Sequence, residues 1–136
     1  MIINDDVGLS RILRDAHTIA VVGLSTKVER PSFRVAQYLQ EQGYRIIPVH
    51  PAGQAVLGET CYRTLAEIPI PVDIVDCFRQ SEAMLELADE AIAIGAKCLW
   101  MQIGVVNEAA AERAAAAGLD VVMDRCAKIE HVRLLG

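Results

Sequence analysis

Residues 23–34 read GLSTKVERPSFR, a set of residue types suited to holding an oxyanion. Just upstream, Ile19-Ala20-Val21-Val22 is a short, largely β-branched apolar run, the pattern of a strand buried on both faces. Gly23 ends that run, and Pro31 suits the first position of a helix, where its missing N–H is not needed. A strand, a glycine turn and a helix N-terminus together direct free backbone N–H groups and the positive end of a helix dipole at one point. Lys27, Arg30 and Arg34 add full positive charges around it. The candidates here are therefore Gly23, Leu24, Ser25, Lys27, Arg30, Ser32 and Arg34. A catalytic Ser25 would need a positioned base, and the sequence offers none.

Two common nucleotide signatures are missing. A dinucleotide fingerprint needs GxGxxG and an acid closing the second strand, but this turn keeps one glycine and that strand closes Val49-His50-Pro51. The GxxxxGK[ST] phosphate loop is absent as well.

The elements that must position these groups follow from periodicity. Asp5–Ala16 reads as a short helix, and Pro31–Gln42 as a second, closed by Gly43. Strands are expected at Ile19–Val22, Tyr44–Val49, Val72–Phe78, Lys97–Ile103 and Leu119–Met123. Thr64–Glu67 reads as one helical turn. Ser81 is expected to cap a helix through Ile94, Asn107 to cap one through Ala117, and Asp124–Leu135 to form the last. Alternating strands and helices imply an α/β fold: one Rossmann-like, doubly wound domain over residues 1–136, with a five-stranded, mainly parallel sheet. The expected strand order is 3-2-1-4-5, with the topological switch beside the first strand. Ligands bind such sheets at the carboxyl ends of the strands. This brings Val49, His50 and Pro51, then Phe78, Arg79 and Gln80, then Met101, Gln102 and Ile103, and finally Asp124, Arg125 and Cys126 to the site. A cleft rimmed by Lys27, Arg30, Arg34, Arg79 and Arg125 points to an anionic ligand.

Composition bounds the rest. The chain is 53% hydrophobic, 4% aromatic and carries a net charge of −5, so a basic nucleic-acid face is not expected. No apolar run approaches the ~20 residues that span a bilayer. The acidic, amphipathic start is unlike a secretory signal, so a cytoplasmic location is expected. Cys61, Cys77, Cys98 and Cys126 form no CxxC and read as small hydrophobes, with no metal site expected. Trp100 reads as core, and Glu130 and His131 as surface or interface residues.

VVGLS, RPSFRVAQYL, GYRIIPVHP, VDIVDCFR, WMQIGVVNEAA and VMDRCAKIEH, in this order, resemble the stand-alone CoA-binding proteins, single domains similar to the CoA-binding N-terminal part of the succinyl-CoA synthetase α subunit. The resemblance runs from Leu9 to Leu134. It implies CoA or acyl-CoA as ligand, with phosphates at Gly23, Ser25, Lys27 and Arg30. It places the adenine side near Val49 and Pro51, nucleotide across Phe78 and Arg79, and the pantetheine arm at Met101, Gln102 and Ile103. His50 stands where relatives often carry Asn. The family's synthetases work through further domains for which this chain has no room, so the expectation is a binder and not an enzyme. The rival readings are a small ligase or transferase subunit completed by a separate chain, and a nicotinamide- or adenine-nucleotide sensor. Homo-oligomerisation and a protein partner stay open.

Overall fold

In a computed structural model describing residues 1–136, the apolar runs form five parallel strands: β1 (Thr18–Val22), β2 (Arg45–Val49), β3 (Ile74–Cys77), β4 (Cys98–Met101) and β5 (Asp120–Val122). Strand residues alternate between the two faces of the sheet and feed two cores. Ile19, Val21, Ile74 and Trp100 pack under α1 (Asp6–Asp15), α2 (Pro31–Glu41) and α5 (Ala127–Leu134), through Leu9, Leu13, Val35, Leu39 and Ala127. Ala20, Val22, Val75, Leu99 and Met101 pack under α3 (Met84–Ala93) and α4 (Glu108–Ala116), through Met84, Leu87, Ala88, Ala110 and Ala114. The doubly wound architecture is thus as expected, and none of its helices is long and apolar enough to cross a membrane.

The strand order is 2-1-3-4-5, not 3-2-1-4-5. Two features put β3 inside the sheet. The chain leaving β2 folds back so that Tyr62 bridges Val49: His50 N–H donates to Tyr62 O at 2.9 Å and Tyr62 N–H to Pro48 O at 3.0 Å. That covers the outer edge of β2, where the third strand was expected. The Asp73 carboxylate, just ahead of β3, accepts the N–H groups of His17 and Thr18 at 2.8 and 3.0 Å, fastening β3 to β1. These bonds and Lys97 hold its pKa below the usual carboxylate value, against the upward push of burial. The switch point therefore lies between β1 and β3.

Some helix ends also differ from expectation. Asp5 and Asn107 cap α1 and α4 by accepting from Gly8 and Ala110 N–H. Ser81 does not cap α3. It opens a single 3-10 turn, Ser81–Ala83, and its Oγ accepts from Val106 N–H at 3.0 Å while Asn107 Nδ2 donates to its carbonyl. The last helix starts at Ala127, because Asp124 takes a positive φ of 59° and accepts from Gly104 N–H at 2.7 Å. Glu130 and His131 are buried, contrary to the surface reading. Glu130 pairs with Arg125 at 2.6 Å and Arg133 at 3.1 Å, and His131 Nδ1 meets Tyr38 OH at 2.7 Å. Trp100 is fully buried, with its Nε1–H donating to Arg125 O at 2.8 Å. Cys77, Cys98 and Cys126 are buried, and burial pushes the thiols of Cys77 and Cys98 up in pKa.

Asp76 breaks the pattern of β3. It lies between Val21 of β1 and Trp100 of β4, fully buried, with no hydrogen-bond partner for either carboxylate oxygen. Burial raises its pKa well above 3.8. A folded acid that keeps its proton longer than the unfolded chain loses stabilisation as pH rises from about 3.8 through the folded pKa. Asp76→Val removes the unpaired carboxyl without adding heavy atoms. It should be about 1–3 kcal/mol more stable than the parent at pH 7. The margin should narrow toward pH 4. Urea unfolding followed by Trp100 fluorescence measures both, and a margin that ignores pH would mean that the carboxyl is not held neutral.

Candidate functional site

The site is built on the β1–α2 turn. Gly23 has φ +87°, and a Cβ on it would collide with the carbonyl oxygen of Phe78 and lie 3.4 Å from Arg79 Cδ. The turn needs glycine because β3 runs directly beside β1 here and its chain crosses over the turn. Gly23, Ser25, Lys27, Arg30, Pro31 and Ser32 line a cavity of about 380 Å³ that Phe78 closes. Within it Ser25 N–H donates to Ser32 Oγ and Lys27 N–H to Ser25 Oγ, both at 3.0 Å. The amides of Ser25 and Lys27 are therefore spoken for, whereas those of Ser32 and Phe33, in the first turn of α2, have no acceptor in the protein. Lys27, Arg30, Arg34 and Arg79 are exposed and make no ion pair, unlike Arg11, Arg113, Arg125 and Arg133. Free N–H groups, a helix dipole and unpaired cations fit a phosphate or pyrophosphate.

Three further cavities continue the site. A larger one, about 800 Å³, shares Pro31 and Phe78 with the phosphate turn and is walled by Val35, Ala83, Val105, Cys126 and Ile129, with Gln102 and Ile103 from the end of β4. A third, about 200 Å³, shares Arg79 and Ala83 with it and runs past Val49, Pro51 and Arg63 at the end of β2. There Glu90 faces Arg79, and burial together with Glu86 raises its pKa despite that neighbour. A fourth, about 120 Å³, lies between the turn and His50.

Most sequence candidates thus converge, but not all reach the site. Leu24 buries its side chain in the core and borders only the smallest of these cavities, and Met101 is buried against α3 and α4. Arg34 lines none of these cavities. His50 spends Nδ1 on Ala52 N–H at 3.0 Å. Arg125 does not offer its charge to the rim, because Glu130 and Asn4 take its guanidinium, both at 2.6 Å. Sequence reasoning missed Val35, Ala83, Val105 and Ile129. The one available signal was Ile129, an apolar residue on a face of α5 that the core does not use.

At the opposite, amino-terminal end of the sheet a cavity of about 510 Å³ carries Arg11, Asp73, Lys97 and Asp120. Those charges are already paired, Arg11 with Asp120 at 3.1 Å and Lys97 with Asp73 at 3.5 Å. An ion entering there must break existing pairs, so the carboxyl-terminal rim is the better site.

Comparison with known proteins shows the family. A family model described as a CoA binding domain matches residues 17–132. The Bacillus subtilis protein YneT is 41% identical over 123 residues, covering 90% of this chain and 91% of its own. A hypothetical protein from Pyrococcus horikoshii superposes with a TM-score of 0.94 at 40% identity, over 98% of this chain and 94% of that one. The ADP-forming acetate–CoA ligase II of Archaeoglobus fulgidus is 32% identical over 81 residues, which is 55% of this chain but 12% of the ligase.

Gly23→Ala should cost at least about 2 kcal/mol, from the positive φ and the collision with Phe78 O together. Gly43→Ala, at φ +100° but with open space around its Cβ, should cost visibly less. Thermal unfolding of the two variants ranks them. Equal losses would mean that the β1–β3 approach does not demand glycine.

Proposed function

This chain belongs to the CoA-binding domain family, and from that premise we propose that it binds CoA or acyl-CoA across the carboxyl ends of β1–β4 without catalysing a reaction on it. The observation that carries this reading is the convergence of unpaired Lys27 and Arg30 with the free N–H groups of α2 on one turn, in a chain of net charge −5. Ser32 and Phe33 N–H, Lys27 and Arg30 hold the pyrophosphate. The trough past Arg79 toward Val49, Pro51 and Arg63 takes the nucleotide end, and the larger cavity past Phe78 takes the pantetheine arm. Phe78 and Arg79, shared between neighbouring cavities, sit where these parts of CoA would meet.

Non-catalysis rests on the protein's nucleophiles and bases. Ser25 Oγ accepts from Lys27 N–H and has no histidine or carboxylate partner, His50 is tied to Ala52, and His131 is buried against Tyr38. The match to a short part of an acetate–CoA ligase supports one second reading: the bound thioester is handed to a separately encoded chain. An NAD sensor is disfavoured, because β2 ends at Val49-His50 with no acid for a ribose hydroxyl.

Titration calorimetry with CoA, NAD and ATP separates the readings. CoA should bind and NAD should not. Replacing Ser25 and Lys27 together by Ala should weaken CoA by roughly 1–3 kcal/mol, since charge-assisted hydrogen bonds dominate such sites. NAD binding without CoA binding would overturn the proposal, and an unaffected double variant would place the phosphates elsewhere.

A further inference from the structure

The larger cavity is too apolar for an arm that carries two amides and a thiol alone. Of its walls, Val35, Phe78, Ala83, Val105, Cys126 and Ile129 are apolar. Ile103 and Ile129 flank its mouth at 61% and 54% exposure, a cost in water that a bound apolar group would remove. Beside Arg79 and Gln80, which are exposed, one buried polar group is built into the wall. Gln102 is 6% exposed, and its Oε1 accepts from Ala127 N–H at 3.2 Å, at the start of α5. Because an N–H must face an oxygen, this bond fixes the amide's orientation and leaves Nε2 as a donor with no protein partner. A single fixed donor in an apolar wall suits one carbonyl oxygen.

The wall also carries one cation. Arg79 makes no ion pair and lines both this cavity and the trough toward β2, where its charge acts on Glu90. Arg125, beside Cys126, is held by Glu130 and Asn4 and adds no free charge. The loops that bound the cavity are also fastened to each other, Val106 N–H to Ser81 Oγ and Gly104 N–H to Asp124, so the wall is preorganised.

Resting on the CoA reading above, we propose that the cavity between α2, α5 and the end of β4 selects acyl-CoA thioesters with apolar acyl groups, with Gln102 Nε2 donating to the thioester carbonyl and Ile103 and Ile129 closing over the acyl chain.

Calorimetry of the intact protein with CoA, acetyl-, butyryl- and hexanoyl-CoA tests this. Each buried methylene should tighten binding by about two- to fourfold until the chamber is full. Ile129→Asp, at an exposed first-turn position where an acid suits the helix dipole, should flatten the dependence on chain length. Gln102→Glu keeps the acceptor for Ala127 but removes the donor, and should weaken acetyl-CoA more than CoA. If CoA binds and acyl length makes no difference, the acyl assignment is overturned while the CoA reading stands. If neither CoA nor any thioester binds, the CoA reading falls and takes the assignment with it.

Discussion

The close approach of β3 to β1 at their carboxyl ends is the constraint on which the rest of this structure depends. It is set at both ends of the pair. Below, Asp73 accepts two backbone N–H groups from the start of β1 and fixes the register. Above, the chain leaving β3 passes so near the β1–α2 turn that only glycine fits at residue 23. With that contact made, Phe78 becomes the shared wall of the phosphate turn and the larger cavity, and Arg79 becomes the hinge between that cavity and the trough toward β2. Had β3 lain beyond β2, neither residue would stand beside Gly23. The strand order is thus a functional fact as much as a topological one.

What could be read from sequence follows from the range of the forces involved. The β1 run, the glycine turn and Pro31 are local features, each readable within about ten residues, and together they marked the turn at which the structure leaves free amides beside unpaired cations. The strand order could not be read this way. It rests on Tyr62 returning to β2 and on Asp73 reaching across 55 and 56 residues to Thr18 and His17. Ser81 carries every local mark of a cap, yet its hydroxyl serves Val106, 25 residues away. Arg125 reads as a rim cation until Asn4, at the other end of the chain, is seen to share it with Glu130. For Asp73, Ser81 and Arg125 a polar side chain found a partner far along the chain, and for Tyr62 the backbone did.

The Ser25 turn shows a subtler form of the same competition. Sequence suggests that its amide waits for a ligand. The structure gives that amide to Ser32 Oγ and the Lys27 amide to Ser25 Oγ. These bonds hold the loop in one shape, which lowers the ordering cost of binding, and leave the dipole end of α2 as the donor surface. Ser32 is accordingly buried and structural first, although its own N–H faces the cavity side.

A chain of net charge −5 binding a polyanion needs its charges sorted in space, and they are. Many of the acids are engaged away from the carboxyl-terminal rim: Asp73 and Asp120 at the amino-terminal end of the sheet, Asp89 with Arg113 between α3 and α4, Asp6 and Glu130 with Arg133. Each pair cancels locally, and at physiological salt its field fades within about 8–10 Å. The cations left without partners, Lys27, Arg30 and Arg79, stand at the β1–β3 switch, within screening range of the same turn. The potential that a ligand meets is therefore decided by which arginines the fold has already neutralised, and the net charge of the chain says little about it. Arg125 makes the point from the other side. By handing its charge to Glu130 it adds no free cation to the wall near Cys126, and Arg79 is left as the unpaired cation lining that cavity.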